Sequence, residues 1–367
     1  MIKWIVLERI KNNVLITALL LVAAPFSYAT ECHMGIQGSE GGSSNLTMSS
    51  YSNSIRWVQS NGPRSNSEAH LLATAEMDLD PWLESQCDAG NDGEQLIAKI
   101  NYSGGYSNLG ITDNTATYKT NIPGVAFSVK IYSDAGGGYF AWNQSDWTTI
   151  DPGGNERWKG KRWKAHIEIY QFDYDFAGNP DGVTYLTPSG SYALGQMGIG
   201  DPSDSDNKPW TFTVTPSSFR IPIIATTCQT AQLNTGSNNI DLGEYMISDF
   251  NASPRSTSFM VQLLGCNNVF GVDFKMNTQN VTGTDSSLLG NTLTGSGAAQ
   301  GVGVKLMSTL KGQQVTPNNV AYTFYNIDTG SGVGIGALMF DAQLVKNGET
   351  LKAGNFKAQS TFTMTYY

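Results

Sequence analysis

Apolar and polar residues alternate with a period of two in several short runs, at residues 125–131, 259–263 and 338–345. Such alternation is typical of β-strands that bury one face. Turn-forming residues separate the runs, for example at 151–154 and 347–348. No long stretch has the 3.6-residue apolar period of an amphipathic helix. The sequence therefore predicts an all-β protein.

The first 29 residues have the organisation of a secretory signal peptide. Three basic residues lie near the start, residues 14–24 are apolar, and residues 27–29 form a small-x-small cleavage site before Thr30. The apolar run is shorter than the ~20 residues that a membrane-spanning helix needs, which disfavours a membrane anchor. We expect residues 1–29 to be removed and the mature chain to be exported.

Composition excludes several classes of function. The chain has 31 acidic and 22 basic residues, whereas a nucleic-acid-binding protein needs a broad basic surface to displace counterions. The motifs G-x-S-x-G and H-E-x-x-H and the Gly-rich phosphate loop are missing from the sequence. The acidic residues show no spacing that would identify the carboxylate pair of a glycosidase. We therefore expect no enzymatic activity, no cofactor and no nucleic-acid partner.

The four cysteines are Cys32, Cys87, Cys228 and Cys266. None has the close spacing of zinc ligands, and export into an oxidising compartment favours disulfides. Their order along the sequence predicts the pairs Cys32–Cys87 and Cys228–Cys266.

Metal-binding patterns are weak. The three histidines, His33, His70 and His166, are scattered and show no H-x-H or H-x-x-x-H spacing. Residues 201–207 are rich in aspartate but lack the glycine and closing glutamate of a calcium loop, so a solvated turn is the favoured interpretation. We expect no metal site.

The chain divides into two unlike halves. All three histidines precede residue 211, as do all tryptophans, and residues 225–367 contain neither type. Residues 30–224 hold 12 basic and 22 acidic side chains, whereas residues 225–367 hold 7 and 8. At about 150 residues per domain, two domains are expected. We predict two tandem β-sandwiches, over 30–215 and 228–367, with a linker at 216–227.

The C-terminal half carries the most specific pattern. Cys266 lies just past an alternating strand, Gly354 is fourteenth from the C-terminus, and Tyr366 is penultimate. This pattern, over residues 225–367, resembles the pilin domain of chaperone–usher fimbriae. The resemblance implies an incomplete immunoglobulin-like sandwich that lacks its seventh strand. It also implies three partners: a periplasmic pilus chaperone, the outer-membrane usher, and the next fimbrial subunit, whose N-terminal extension adds the missing strand.

The last strand presents an apolar face that needs a core. Its members, with Ser360 among them, are Phe356, Ala358, Phe362, Met364 and Tyr366. No strand follows in the sequence to cover this edge, and such an edge is an aggregation hazard unless another chain pairs with it. We therefore predict that these five residues line the donor-strand acceptor groove. The alternative is a complete sandwich that ends on an edge strand.

The start of the expected mature chain has a second implication. A polymerising pilin carries a donor strand ahead of its first cysteine, whereas only Thr30 and Glu31 would precede Cys32. The resemblance then implies a two-domain tip adhesin of type 1-like fimbriae, in which a lectin-like receptor-binding domain over 30–215 sits on a pilin anchor. We expect it at the fimbrium tip, on the cell surface.

Two segments of the N-terminal half have the residue types of a sugar site, in which an aromatic face stacks on a pyranose and polar groups pair with hydroxyls. They are residues 142–147, with two tryptophans, and residues 157–164, which hold five of the 12 basic residues of 30–224. This concentration of charge indicates an acidic or sulfated glycan, or a neutral sugar bound at the margin. The predicted carbohydrate-binding residues are Trp142, Asn143, Asp146, Trp147, Arg157, Trp158 and Lys161.

An alternative interpretation of the second segment is purely structural. Trp163 alternates with Ala165 and Ile167 and is expected in the core, which leaves Arg162 and Lys164 as ordinary solvent-facing charges.

The sequence thus predicts a fimbrial tip adhesin that attaches the bacterium to a host or surface receptor, a glycan. A tip adhesin for a protein receptor or for self-association in a biofilm is the second interpretation, distinguished by insensitivity to soluble sugars. A structural minor tip subunit is the third, and it would require a donor strand.

Overall fold

The computed structural model describes residues 32–36, 39–58, 69–87, 94–101, 115–142, 146–154, 157–173, 175–179, 181–200, 208–325 and 334–367. The expected signal peptide, Asn143 and residues 201–207 lie outside these ranges. The elements described are short β-strands and a 3-10 helix at Ile247–Asn251. The all-β prediction is therefore confirmed. In this part of the chain, no helix combines the length and hydropathy needed to span a membrane.

The strands of the N-terminal half are β1 (Cys32–Ile36), β2 (Ser39–Glu40), β3 (Gly42–Tyr51), β4 (Ala69–Asp80), β5 (Glu84–Cys87), β6 (Leu96–Ile100), β7 (Thr117–Lys119), β8 (Val125–Ser133), β9 (Gly136–Tyr139), β10 (Thr148–Asp151), β11 (Lys161–Arg162), β12 (Lys164–Phe172), β13 (Tyr185–Leu186), β14 (Tyr192–Ile199), β15 (Trp210–Val214) and β16 (Ile221–Pro222).

Most of these strands form one large curled sheet. Within the described residues its order is β10-β6-β14-β15-β3-β4-β12-β8-β7, with β9 paired to β8. The β15–β3 pair is parallel. The sheet curls until β9 approaches β10, where a Cβ added to Gly138 would lie 3.1 Å from Ile150 Cδ1. A smaller sheet, β11-β5-β1-β2, packs beside it.

The sheet curls around an aromatic and aliphatic core. On β12, Ala165, Ile167 and Ile169 are fully buried and Trp163 precedes them on the same face, as the alternation predicts. Burying an aliphatic or aromatic side chain stabilises the fold by roughly 1.5–3 kcal/mol. On the opposite face of β12, Lys164 is exposed and His166 is half-buried.

The strands of the C-terminal half are β17 (Thr230–Leu233), β18 (Ser256–Cys266), β19 (Gly271–Asn277), β20 (Val281–Thr282), β21 (Leu288–Leu289), β22 (Val302–Ser308), β23 (Gln313–Val315), β24 (Asn318–Tyr325), β25 (Gly334–Lys346) and β26 (Thr361–Tyr366). In the residues described, one sheet has the order β17-β18-β25-β22-β21-β20 with β23 on β22, and the other is β24-β19-β26. The second hydrophobic core lies on the inner faces of these strands, with Phe274 of β19 in contact with Phe340 of β25.

Both predicted disulfides are confirmed. Cys32 and Cys87 face each other across the β1–β5 pair, and Cys228 is bonded to Cys266 at the end of β18. The sequence separations are 55 and 38 residues, and each closed loop contributes roughly 4 kcal/mol in the chain-entropy account.

The segment expected as a linker, 216–227, is packed rather than loose along much of its length. Phe219 and Ile221 are buried in the N-terminal core, and Ile221–Pro222 pairs with Tyr185–Leu186. Phe270, just before β19, belongs to the same core, and its ring lies 4.8 Å from that of Phe176. The domain boundaries at residues 215 and 228 stay a prediction.

Candidate functional site

Strand β26 forms one free edge of the C-terminal domain. It pairs antiparallel with β19, which is its only strand partner among the residues described. Exposed threonines alternate along it with half-buried Phe362, Met364 and Tyr366. The period-two pattern of the sequence thus places one face of β26 on the core and leaves its outer edge without a neighbouring strand.

The hydrogen-bond register shows which backbone groups of β26 lie on that edge. Tyr367 N donates to Gly271 O over 3.0 Å, and Gly271 N donates to Tyr367 O over 2.7 Å. Hydrogen-bonded and non-hydrogen-bonded pairs alternate in antiparallel sheets. Because the register is regular from Tyr366 to Thr361, the N–H and C=O groups of residues 362, 364 and 366 point away from β19.

Apolar side chains accompany these free backbone groups. All five predicted acceptor residues are half-buried and pack on the C-terminal core, from Phe356 through Ala358 to the three on β26. The Phe362 ring lies 4.7 Å from that of Phe274 beneath it. Partial burial also raises the pKa of Tyr366.

The chain from the end of β17 to the start of β18 contributes a second set of half-buried apolar side chains to the same core. They are Leu233, Ile240, Leu242, Tyr245 and Phe250. An apolar surface beside an unpaired strand edge has the chemistry to take an extended peptide, because the edge supplies main-chain hydrogen bonds and the surface takes alternate side chains.

The first predicted sugar-binding segment of the N-terminal domain is partly described. Trp142 and Trp147 are half-buried, Asp146 is exposed, and Asn143 lies outside the described residues. Lys99 Nζ lies 6.0 Å from the centroid of the Trp147 ring.

In the second predicted segment, the structure places Trp158 differently from the prediction. Trp158 is only 1% exposed, and its Nε1 donates to Glu94 O over 2.7 Å. Its ring stacks on that of Trp163 with 5.7 Å between centroids. Trp158 is therefore a core residue, and its prediction as a sugar-stacking residue is wrong because its face is covered.

The Arg157 side chain makes its contacts within the N-terminal domain. Its guanidinium lies over the Trp158 ring at 5.0 Å and pairs with Asp151 Oδ2 at 2.7 Å. Asp151 ends β10 and Trp147 directly precedes β10, so roughly 13 Å of extended chain separates Trp147 from the carboxylate that Arg157 contacts.

The structure places Lys161 in a surface cleft of about 450 Å³. The cleft is lined by Tyr132, Ser133, Asp134, Gly160, Lys161, Arg162 and Lys164. Lys161 Nζ pairs with Asp134 Oδ1 at 3.1 Å. The Arg162 guanidinium lies 5.1 Å from the centroid of Trp82, whose side chain is 41% exposed.

Sequence reasoning did not single out Tyr132 or Trp82, and it treated Arg162 and Lys164 as plain surface charges. The strand register brings them together, because Arg162 pairs with Glu84 on β5 and Lys164 pairs with Tyr132 on β8. These contacts join distant parts of the chain, so the local sequence pattern does not predict them.

A hydrogen-bonded network borders the cleft. Tyr132 OH donates to Glu76 Oε2, and His166 Nδ1 lies against Glu76 Oε1, both over 2.7 Å. Partial burial raises the pKa of Glu76, but the hydrogen bonds of Tyr132 and His166 and the charges of His166 and Lys164 outweigh it, so the net pKa is lowered. The hydrogen bond to Glu76, with partial burial, raises the pKa of Tyr132 to about 12.

In the described ranges, no group of three His, Cys, Asp or Glu side chains is arranged to hold a metal ion.

Comparison with known proteins agrees with this architecture. Residues 217–367 match the model of the fimbrial protein family. No curated protein matches the chain in a sequence comparison. The crystal structure of the CupB6 tip adhesin from Pseudomonas aeruginosa is similar in fold over 92% of this chain and 94% of that one, with a TM-score of 0.52 at 14% identity.

Two further solved structures match more loosely. The P pilus rod subunit PapA covers 38% of this chain and 98% of its own, with a TM-score of 0.31 at 16% identity. CfaE, the adhesive subunit of CFA/I fimbria of enterotoxigenic Escherichia coli, covers 89% and 98%, with a TM-score of 0.24 at 12% identity. Residues 217–367 therefore have the sequence pattern of the fimbrial protein family, and the chain as a whole shares the fold of the CupB6 tip adhesin.

Proposed function

We propose that this protein is a fimbrial tip adhesin, located at the fimbrium tip on the cell surface. Its C-terminal domain anchors it to the next fimbrial subunit, and its N-terminal domain binds a surface receptor. The observation that carries the anchoring role is the free edge of β26, where outward backbone groups and half-buried Phe362, Met364 and Tyr366 occur on the same residues.

The anchoring partner supplies an extended strand. A periplasmic chaperone occupies the acceptor groove first, and at the usher the N-terminal extension of the next subunit replaces it. The groove is defined by Phe356, Ala358, Phe362, Met364 and Tyr366. An incoming strand would satisfy the free backbone groups of β26 and cover these side chains, so it would stabilise the domain by both routes.

The receptor in this proposal is a glycan bound at the cleft beside Trp82. The exposed indole of Trp82 contacts Arg162, and Arg162 lines the cleft together with Tyr132 and Lys161. The site thus combines an aromatic surface with the hydrogen-bond donors that sugar rings and hydroxyls require. Trp142, Asp146 and Trp147 stay the predicted second location.

Attachment of fimbriated cells to a glycan surface tests this function. Cells carrying fimbriae with the full chain should attach, cells lacking the chain should not, and a soluble form of the same glycan should compete. Trp82→Ala should abolish attachment. Tyr51→Ala is the matched control, because Tyr51 lies on β3 of the same domain and is 42% exposed against 41% for Trp82.

The outcomes separate the candidate functions. Attachment that is insensitive to every soluble sugar would replace the glycan with a protein receptor or self-association. Fimbriae that assemble and attach equally well without this chain would contradict the adhesin role itself. If Trp147→Ala abolishes attachment and Trp82→Ala does not, the site lies at the first segment.

A further inference from the structure

The cleft beside Trp82 concentrates positive charge in an acidic domain. Residues 30–224 hold 12 basic and 22 acidic side chains, yet Lys161, Arg162 and Lys164 stand within four positions and line the same cleft. Lys161 is partly neutralised by Asp134 at 3.1 Å. The other two cations are exposed, and within the described part of the chain neither has a carboxylate at ion-pair distance.

The acidic residues nearest in register do not neutralise them. Glu84 lies opposite Arg162 across the β11–β5 pair, and Asp78 follows Met77, the register partner of Ala165 on β4. Neither carboxylate forms an ion pair with Arg162 or Lys164. The charge of Lys164 acts on Glu76 and lowers the pKa of that carboxyl. However, the two carboxylate oxygens of Glu76 are hydrogen-bonded to Tyr132 and His166.

Arg162 lies beside an aromatic ring and retains donors for an anionic ligand. Its guanidinium lies 5.1 Å from the centroid of the Trp82 ring, at cation–π distance. The guanidinium carries five N–H donors in its plane, and contact with an aromatic ring leaves donors available for an anion. A carboxylate or sulfate accepts two such donors in parallel.

The exposed part of Trp82 adds a second kind of contact. Its side chain is 41% exposed although the guanidinium covers part of the ring. A sugar ring that carries an anionic substituent could therefore lie on the indole while the substituent reaches Arg162.

We propose that this cleft binds a glycan bearing carboxylate or sulfate groups, with the anionic group held between Arg162 and Lys164 and a sugar ring against Trp82. The inference rests on the proposed function, because it names the class of glycan for that same site. A neutral glycan would cover both cations without giving them a counter-charge, which is unfavourable.

Binding to three defined polysaccharides tests this class. The full chain, held in a complex with a donor-strand peptide, is measured against immobilised chondroitin sulfate, hyaluronan, which carries only carboxylates, and neutral dextran. We expect binding to one or both anionic polymers and none to dextran, with affinity falling as salt increases. Arg162→Gln and Lys164→Gln should each weaken binding about tenfold or more, because each removes a charge-assisted contact.

Two further variants make the test specific. Lys346→Gln removes one positive charge from an exposed position on β25 of the other domain, and it should leave affinity unchanged. Arg162→Lys keeps the charge but loses the planar fork, and it should recover only part of the affinity. Equal losses with Lys346→Gln and Lys164→Gln would mean that overall charge decides binding, which overturns the proposed site.

The failure of this inference is distinguishable from failure of the proposed function. Binding to dextran or another neutral glycan that is lost in Trp82→Ala but unaffected by Arg162→Gln and Lys164→Gln would overturn the anionic class and keep the glycan adhesin. Absence of binding to any glycan, by a folded complex whose fimbriae still attach cells, would overturn both.

Discussion

The backbone N–H of Trp57 in the N-terminal domain donates a hydrogen bond to Oδ1 of Asn268 in the C-terminal domain over 2.7 Å. The Nδ2 atom of the same side chain donates to Ile224 O over 2.6 Å. Asn268 is 6% exposed, so one buried amide uses both of its polar ends to join the two domains and the segment between them.

Removal of this amide should loosen the junction between the domains. Asn268 has a φ of +56°, which glycine adopts without strain, so Asn268→Gly deletes the side chain with little backbone cost. The buried N–H of Trp57 and the partly buried C=O of Ile224 would lose their partners, and we expect a loss of about 1–3 kcal/mol in the free energy of unfolding, mostly from the buried N–H. Denaturant unfolding monitored by tryptophan fluorescence measures it.

Asn267→Ala is the matched control for that experiment. The Asn267 side chain accepts a bond from Arg56 at an exposed position over 3.0 Å, so its removal should cost less than about 0.5 kcal/mol. If the two variants were equally stable, Asn268 would not hold the junction.

Two tryptophans near the cleft should respond in opposite ways to truncation. Trp158→Ala should destabilise the protein by about 3–5 kcal/mol, because it empties a core position and removes the indole hydrogen bond to Glu94 O. Trp82→Ala should change stability by less than about 0.5 kcal/mol, because it alters an exposed side chain. Thermal unfolding of both variants measures the difference, and comparable melting temperatures would contradict the assignment of Trp158 to the core.

The Tyr132–Glu76 hydrogen bond predicts an alkaline loss of stability. The pKa of Tyr132 is about 12 in the fold against an ordinary 10.0, because the neutral phenol donates to Glu76. Since the folded pKa is raised, the stabilisation is fully present below pH 10 and is lost as pH rises toward about 12. Wild type and Tyr132→Phe should therefore differ in stability by a constant amount below that range and converge above it.

The measurement for this prediction is the free energy of unfolding at a series of alkaline pH values. A stability difference between the two proteins that stays constant through the whole alkaline range would show that the phenol does not interact with Glu76.

Local patterns of the sequence predicted much of this architecture. The alternation on β12 predicted the burial of Trp163, and the positions of Cys32 and Cys87 predicted their bond, because each inference needs only neighbouring residues or chain order. The half-buried face of β26 was predictable for the same reason.

Contacts between distant segments were not predictable. Trp158 lies outside the strands, and the strand that follows it, Lys161–Arg162, has only two residues, so no alternation indicated which way its ring would face. Trp82 contacts Arg162, which lies eighty positions later in the sequence, and the β11–β5 pairing brings the two residues together. Phe270 completes the N-terminal core from the other domain, which composition alone does not indicate.

The acceptor groove also predicts stabilisation by an added strand. A synthetic peptide with the sequence of the next subunit's N-terminal extension should raise the melting temperature of the full mature chain. At a peptide concentration 100 times its Kd, the expected gain is about 2.7 kcal/mol. A peptide with its alternate apolar residues replaced by serine is the control and should have no effect, since it cannot fill the apolar groove.

Amide hydrogen exchange along β26, with and without that peptide, tests the central claim most directly. The amides of Phe362, Met364 and Tyr366 point to the free edge, whereas those of Thr363 and Thr365 bond to β19. We predict that the first three exchange rapidly in the free chain and become protected when the peptide binds, while the two threonine amides are protected throughout. Unchanged exchange at all three residues with saturating peptide would contradict the assignment of β26 as the edge that receives the donor strand.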